Sequence, residues 1–253
     1  MKIQEAIEYF HLSFCNRLAA KVDRKLFCLK GGCNLRFYFN SIRYSEDIDF
    51  DAHKISTDTL KKNVEQILKD GTFKMLLKLK DIELADWSAP KQTETTQRWK
   101  VSFRIGAQTG TIPTKIEFSR RKPEFTGAAV NPVDPQLIQK YQLQSLTLQH
   151  YELPAAIEQK IGALIGRTET QARDVIDLKI LKDKLSGAAP LKMPRAERDR
   201  ALETLMSVSF DHFKSQVWPY LMEEHQDYYG EKKVWDELQA EIAAFLERIP
   251  EVT

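Results

Sequence analysis

The sequence predicts an α+β fold, with a small mixed sheet in its first half and a helical second half. Two observations support this division. Up to residue 127, segments whose apolar residues recur at helical spacing alternate with short apolar or strictly alternating segments, whereas the later segments are almost all helical in spacing. The stretch RRKPEFTGAAVNPVDP between the halves contains prolines and a glycine, which interrupt regular structure. We therefore expect one domain over residues 1–127 and a helical domain over residues 128–253.

The first half is predicted to begin with a helix over residues 3–22, where apolar side chains recur every three or four positions. KLFCLK is typical of a short buried strand that stops at a Gly-Gly pair. Asn34 is placed to cap a short helix that ends at Phe39. EDIDFD alternates with period two and predicts a second strand. The remaining elements predicted for this half are a helix over 57–70 and strands over 75–87, 98–105 and 114–118, separated by polar pieces such as SAPKQTETTQ.

The second half is predicted to consist of helices because apolar residues recur at helical spacing through nearly all of it. The expected helices cover residues 136–149, 154–165, 172–185, 195–220 in one or two pieces, and 231–248.

Composition excludes several classes of protein. Hydrophobic residues make up 42% and charged residues 29% of the 253 residues, which is typical of neither a disordered nor a membrane-embedded chain. No apolar run approaches the roughly 20 residues that a membrane span needs, and the N-terminal segment carries early acids that a signal peptide lacks. Three cysteines without a Cys-x-x-Cys pair argue against a disulfide framework and a structural zinc site. We therefore expect a cytoplasmic protein without a membrane partner.

The segment EDIDFD raises the possibility of a metal site. Asp47 and Asp49 would share one face of a strand, roughly 6.6 Å apart, while Ile48 and Phe50 face the core. Carboxylates this close repel each other unless a cation or a proton lies between them. Mg²⁺ meets this need because it prefers carboxylate oxygens and keeps water and phosphate as other ligands. The pattern also fits an ordinary strand with one solvent-facing side, and Asp51 is expected only to close that strand.

Two further features favour a metal site. Gly31 and Gly32 directly follow a buried strand, where glycines let the backbone approach a phosphate and the next helix supplies N–H donors. Glu117 lies between Ile116 and Phe118 in a later strand and would supply the third carboxylate of a site that holds two ions. Taken singly, these features also fit a simple turn and a surface-facing strand residue.

The stretch LKGGCNLRFYF…IRYSEDIDFD resembles the nucleotidyltransferase domain of the AbiEii/AbiGii toxin family, within the polymerase-β-like nucleotidyltransferase superfamily. The family pattern is Lys-Gly-Gly, a short helix, and then Arg-x-Ser-x-Asp-hydrophobic-Asp. Cys33 stands where the family usually has Thr, which removes a hydroxyl from the expected phosphate cradle and leaves its backbone N–H donors. The residues that match the pattern are Lys30, Gly31, Gly32, Arg43, Ser45, Asp47 and Asp49.

The resemblance continues in the helical half. The family has a later Lys followed by Arg-Asp-x-x-Asp, and this chain has Lys160 followed by RDVID at residues 173–177. The resemblance implies that Lys160 reaches the triphosphate and that Asp174 orients Lys160 or accepts a proton from the acceptor. Asp177 is expected to be structural. From the residues alone, two solvated helices with ion pairs between them are the simpler interpretation.

The resemblance implies a polymerase-β-like nucleotidyltransferase core followed by a helical domain. The activity that it implies is Mg²⁺-dependent, with two ions, and moves a nucleoside monophosphate from an NTP to an acceptor hydroxyl. Asp47, Asp49 and Glu117 would hold the metal. The residues expected to bind the nucleotide are Lys30, Gly31, Gly32, Arg43, Ser45 and Lys160.

The acceptor implied by the resemblance is the 3′ end of tRNA, with arrest of translation as the outcome and a cognate antitoxin as a partner. A net charge of +2 and a few basic clusters are compatible with RNA binding but do not require it. Two alternatives stay open. The acceptor could be a protein or an aminoglycoside-like small molecule, or the chain could be a non-catalytic nucleotide-binding regulator.

Overall fold

The structure, a computed structural model, describes residues 1–106, 109–167, 171–187 and 191–252. The chain forms two compact units. The first consists of Met1–Tyr38 and Tyr44–Tyr151, and the second consists of Phe39–Arg43 and Glu152–Thr253. The predicted boundary after residue 127 thus falls inside the first unit, because the strands that follow it belong to the sheet of that unit.

The first unit contains a mixed sheet, as predicted, but the sheet is larger than expected. In the described residues it has seven strands in the order β3-β4-β5-β2-β1-β7-β6. The pairs β2–β5 and β1–β7 are parallel, and the other neighbours are antiparallel. The strands are β1 (Phe27–Lys30), β2 (Ile48–Ala52), β3 (Ile82–Gln92), β4 (Thr96–Ile105), β5 (Ile112–Ser119), β6 (Ala128–Pro132) and β7 (Thr147–Tyr151).

One face of this sheet forms the core of the first unit. The rings of Phe50 and Phe118 stack at 4.7 Å, and Trp99 meets Phe118 edge-on. Phe14 approaches Phe50 from the first helix, and all these side chains are fully buried. The helices of this unit are α1 (Ile3–Lys21), α2 (Gly31–Tyr38), α3 (Thr57–Lys69), α4 (Gly71–Lys78) and α5 (Pro135–Tyr141).

The second unit is helical, as predicted. Its core includes the ring of Trp235, which stacks on Phe213 at 4.8 Å. None of the helices in the described ranges combines the length and apolar character of a membrane span. The α-helices are α6 (Leu153–Gly166), α7 (Ala172–Asp183), α8 (Arg195–Ser207), α9 (Phe210–Gln216), α10 (Glu223–Tyr229) and α11 (Lys232–Glu247).

Two predicted elements were wrong. Residues 75–87 do not form one strand, because α4 continues to Lys78 and β3 begins only at Ile82. Asp70 starts α4 by accepting a hydrogen bond from the backbone N–H of Phe73 at 2.7 Å. The helix expected over 136–149 ends at Tyr141 in α5, and the segment that follows becomes β7, which pairs with β1 and β6.

The predicted cap of the second helix was also wrong. Helix α2 begins at Gly31, directly after β1, and Asn34 lies inside it. The Asn34 amide instead donates to the carbonyl of Tyr151 at 2.9 Å, and its oxygen lies 3.0 Å from His150 Nδ1. Asn34 therefore ties α2 to β7.

Candidate active site

A row of charged residues crosses the polar face of the sheet. The register pairs Arg98 of β4 with Glu117 of β5, Glu117 with Asp49 of β2, and Asp49 with Lys30 of β1. Paired residues on neighbouring strands project from the same face, with the strands about 4.8 Å apart. The carboxyl-bearing residues Asp49 and Glu117 are therefore side by side, with a basic residue on the strand beyond each.

The third predicted carboxylate, that of Asp47, precedes β2 by one residue. Its Oδ2 lies 2.8 Å from the Nζ of Lys115, and both side chains are about one third exposed. The Nε of Arg98 donates to Glu117 Oε2 at 2.7 Å. In the described part of the chain, the carboxylate of Asp49 has no hydrogen bond or ion pair, although its backbone pairs with β1 and β5. The predicted acids thus share one region of the first unit, and two of them are paired with protein cations.

The charges of this cluster are coupled. Burial raises the pKa of Asp49, and the negative charges of Asp47 and Glu117 act in the same direction, while Lys115 and Lys30 oppose them. Burial acts to lower the pKa of Lys115, but its hydrogen bond to Asp47 and the surrounding carboxylates outweigh it and raise the value. The site therefore holds Lys115 charged and disfavours a negative charge on Asp49.

The donor types fit a hard divalent cation, although the present arrangement is not a preformed metal site. Within the described ranges, no group of three acidic, histidine or cysteine side chains is arranged to hold a metal ion. Asp47 and Glu117 point instead to Lys115 and Arg98. Three carboxylates in one region, with the Asp49 carboxylate unpaired, nevertheless provide the oxygen ligands that Mg²⁺ prefers.

Gly31 brings the backbone close to Asp49. Its φ is +67°, a conformation that favours glycine, and a Cβ at this position would lie 3.3 Å from Asp49 Oδ2. Gly32 is the second residue of α2. The start of an α-helix, with free N–H groups, therefore lies next to the predicted acids, as the Gly-Gly motif predicts.

The segment before β2 is held by side-chain donors. Ser45 Oγ donates to the Asp47 carbonyl at 2.8 Å, and Cys33 Sγ donates to the same oxygen at 3.3 Å. Thr114 Oγ1 donates to the Glu46 carbonyl at 2.7 Å. Burial raises the pKa of the Cys33 thiol, so it keeps the proton that it donates. In this structure Ser45, predicted to bind phosphate, and Cys33 position the backbone of Asp47.

Asp51 belongs to a separate, buried network. Its carboxylate accepts from Lys30 Nζ at 2.5 Å and from the Tyr151 hydroxyl at 2.6 Å. The side chain of Asp51 is almost wholly inaccessible, whereas that of Lys30 is one quarter exposed. Asp51 thus joins β2 to Lys30 of β1 and to Tyr151 of β7. Lys30, which was predicted as a nucleotide ligand, is paired with Asp51.

Replacing Tyr151 with Phe is expected to lower the free energy of unfolding by about 1.5–3 kcal/mol, because a buried carboxylate loses a hydrogen-bond donor. Urea unfolding followed by circular dichroism measures the change. Tyr228→Phe is the matched control, since Tyr228 is mostly exposed. Equal midpoints for the two variants would show that the hydroxyl contributes little.

The second unit contains a buried ion network that includes the remaining predicted residues. Arg43 donates to both carboxylate oxygens of Asp177, each at 2.7 Å. Lys160 Nζ lies 2.5 Å from Asp177 Oδ2 and 3.1 Å from Asp174 Oδ1. Arg167 Nε lies 2.8 Å from Asp174 Oδ2 without the alignment of a hydrogen bond.

Both aspartates of the RDVID motif are completely buried, so the interpretation of this segment as a solvated helix face is wrong. Burial acts to raise the pKa of Asp177, but the charges of Arg43 and Lys160 outweigh it and lower the value to about 2. Asp177 is therefore an ionised structural anchor, as expected. Arg43, predicted to bind phosphate, has its guanidinium engaged by this anchor.

The predicted residues are thus distributed between the units. The first unit contains Lys30, Gly31, Gly32, Ser45, Asp47, Asp49 and Glu117, and the second contains Arg43, Lys160 and Asp174. Sequence reasoning missed Lys115 and Arg98. Lys115 had a visible signal, because it precedes Glu117 by two residues and so shares its face. Arg98 had none, because its pairing with Glu117 depends on the strand register.

Comparison with known proteins places this geometry in context. The family described as "Nucleotidyl transferase AbiEii toxin, Type IV TA system" matches residues 14–252. No protein of curated function matches the chain. Several solved structures have a similar fold, among them one from Helicobacter pylori and one from Mycobacterium tuberculosis. JHP933 from Helicobacter pylori has 20% sequence identity and a TM-score of 0.61, covering 98% of this chain and 94% of that one. MenT4, a nucleotidyltransferase toxin from Mycobacterium tuberculosis H37Rv, has 18% identity and a TM-score of 0.58, covering 98% and 86%.

Proposed function

The chain belongs to the AbiEii nucleotidyl transferase toxin family of type IV toxin–antitoxin systems, and from that premise we propose that it transfers a nucleoside monophosphate from an NTP to the 3′ end of tRNA. Transfer to this hydroxyl would block translation. A cytoplasmic location would give the toxin access to both substrates, and a cognate antitoxin would restrain it.

The observation that carries the proposal is the pairing of Asp49 with Glu117 on adjacent parallel strands, next to the glycine start of α2. Two carboxylates and a helix N-terminus serve opposite needs. The carboxylates suit a cation, and the N–H groups suit a phosphate anion. A substrate that combines both charges is a metal–triphosphate complex, which is why this region supports NTP binding.

We assign Asp47, Asp49 and Glu117 as the residues that would hold Mg²⁺. When bound, the metal supplies Lewis-acid activation of the attacking oxygen and stabilises the charge on the leaving pyrophosphate. The backbone N–H groups at Gly31 and Gly32 would orient the phosphates. Ser45 and Cys33 keep Asp47 in place by holding its carbonyl.

The three basic residues that were predicted to bind phosphate have different roles in this proposal. Lys30 would contact phosphate only if its ammonium leaves Asp51. Lys160 as a phosphate ligand and Asp174 as the residue that orients Lys160 are proposed from the motif and from their 3.1 Å contact. Arg43 acts through Asp177, which also pairs with Lys160, so we propose that Arg43 positions Lys160 and does not bind phosphate directly.

The test is incorporation of label from each α-³²P-labelled NTP, with tRNA, total protein or an aminoglycoside panel as acceptor. We expect Mg²⁺-dependent label in tRNA that is lost in EDTA and after removal of the tRNA 3′ end. Label in protein or in a small molecule would retain the transferase and overturn the tRNA acceptor. Absence of label with every NTP and every acceptor would overturn the enzymatic proposal in favour of a nucleotide-binding regulator.

A further inference from the structure

Lys115 has an unusual environment for a strand lysine. Its Nζ lies 2.8 Å from Asp47 Oδ2. It precedes Glu117 by two residues on β5, so both side chains extend from the same face. The charges of Asp47, Asp49 and Glu117 all act favourably on its ammonium. The chain has therefore placed a positive charge in contact with Asp47, on the same face as the other two carboxylates proposed to hold metal.

The acid cluster requires a counterion whenever metal is absent. Three carboxylates in one region repel each other in a partly buried environment, where the effective dielectric constant is lower than in water. Arg98 neutralises Glu117 from one side. Lys115 is the cation that contacts Asp47, and a flexible four-carbon stem allows its ammonium to move.

We propose that Lys115 is the internal counterion of this acid cluster, that it competes with the divalent cation for Asp47, and that it releases Asp47 when the cation binds. This inference rests on the proposed function for the identity of the site. The released ammonium stays on the face of the sheet where the triphosphate would bind, and a lysine binds phosphate as a point charge. Lys115 would then exchange a carboxylate for a phosphate as the substrate enters.

Lys100 provides a matched control for the charge of Lys115. The register pairs Lys100 of β4 with Lys115 of β5, so both lysines project from the same face on adjacent strands. Lys100 is exposed, and in the described part of the chain it has no ion pair. Removing its charge changes the net charge equally but leaves the contact to Asp47 intact.

The experiment measures Mn²⁺ binding to the full chain by isothermal titration calorimetry and by the loss of the free Mn²⁺ signal in electron paramagnetic resonance, without NTP. We expect Lys115→Met to bind Mn²⁺ about tenfold more tightly than wild type, because the competing cation is gone. Lys100→Met should stay within about twofold of wild type, and Lys115→Arg should return the weaker affinity. Unchanged or weaker binding by Lys115→Met, with a normal Lys100→Met, would overturn the proposal.

Thermal unfolding provides a second readout that does not depend on catalysis. In EDTA, Lys115→Met should unfold at a lower temperature than wild type because its carboxylates lack a counterion, and Mn²⁺ should remove the difference. A deficit that Mn²⁺ leaves unchanged would show that Lys115 is only a packing residue. Neither readout uses NTP or an acceptor. A transfer assay that gives no label would therefore not contradict the role of Lys115. An unchanged Mn²⁺ affinity of Lys115→Met would likewise not contradict nucleotide transfer.

Discussion

Replacing Asp177 with Asn is expected to lower the free energy of unfolding by about 3–5 kcal/mol, the usual cost of removing one partner from a buried ion pair. Asp177 is completely buried and receives two hydrogen bonds from Arg43 and a contact from Lys160. The amide keeps the shape of the side chain but removes the negative charge that Arg43 and Lys160 share, and Lys160 then keeps only its contact to Asp174. The unfolding midpoint should fall by on the order of 10 °C in a chain of this size, as measured by differential scanning calorimetry.

Asp183→Asn is the matched control for this prediction. Asp183 ends the same helix, α7, and pairs with Lys179, but its side chain is 45% exposed. Exposed pairs of this kind contribute about 0–1 kcal/mol, so the control should unfold close to wild type. Similar losses in the two variants would contradict the assignment of Asp177 as the anchor of the second unit.

The carboxylate of Asp177 should also make the stability of wild type depend on pH. Its pKa in the folded chain is lowered to about 2, below the ordinary value of 3.8. A lowered pKa means that the stabilisation is complete above about pH 4 and is lost as the pH falls through 2. The difference in unfolding free energy between wild type and Asp177→Asn should therefore be constant from pH 5 to 7 and shrink below pH 4.

The fold was predictable where local patterns decide the structure. The apolar spacing of α1 and the alternation of Ile48 and Phe50 were sufficient, because these residues face one core. The segment around Leu77 misled the prediction, since its apolar residues alternate like a strand until the cap at Asp70 is recognised. Strand β7 was missed because its structure depends on pairing with the distant β1.

The residue types of the candidate site could be predicted from the sequence, but the ion pairs that its residues form could not. A repeated apolar–acid–apolar pattern was enough to group Asp49 with Glu117, and the register pairs them. The partners of the cations could not be predicted, because Arg43 meets Asp177 across 134 residues of sequence. Arg43, near a predicted phosphate-binding motif, was therefore interpreted as a ligand, whereas in the structure its guanidinium donates to Asp177.

Replacing Asp49 with Asn is expected to reduce nucleotide transfer by at least about 10²–10³-fold, the scale on which removal of one electrostatic group from an active site slows a reaction. The proposal makes Asp49 a metal ligand, and an amide is a poorer ligand for a hard cation than a carboxylate. Transfer from the α-³²P-labelled NTP under single-turnover conditions measures the loss.

Stability should move in the opposite direction from activity in this variant. Burial and neighbouring acids raise the pKa of Asp49, so its charged form is disfavoured in the folded chain and a neutral isostere removes that cost. The unfolding midpoint of Asp49→Asn should therefore equal or exceed that of wild type in EDTA. An inactive variant with an unfolding midpoint below that of wild type would indicate a structural role for the Asp49 carboxylate.

Asp86→Asn separates the effect of Asp49 from a general loss of negative charge. Asp86 is exposed on β3, and its pairing with Ser102 of β4 places it on the same polar face, away from the acid cluster. Its replacement should leave transfer within about twofold of wild type, because exposed charges more than a Debye length of about 8 Å away are largely screened at physiological salt. Equal losses for Asp49→Asn and Asp86→Asn would mean that the charge of the whole face, and not a metal ligand at Asp49, controls the reaction.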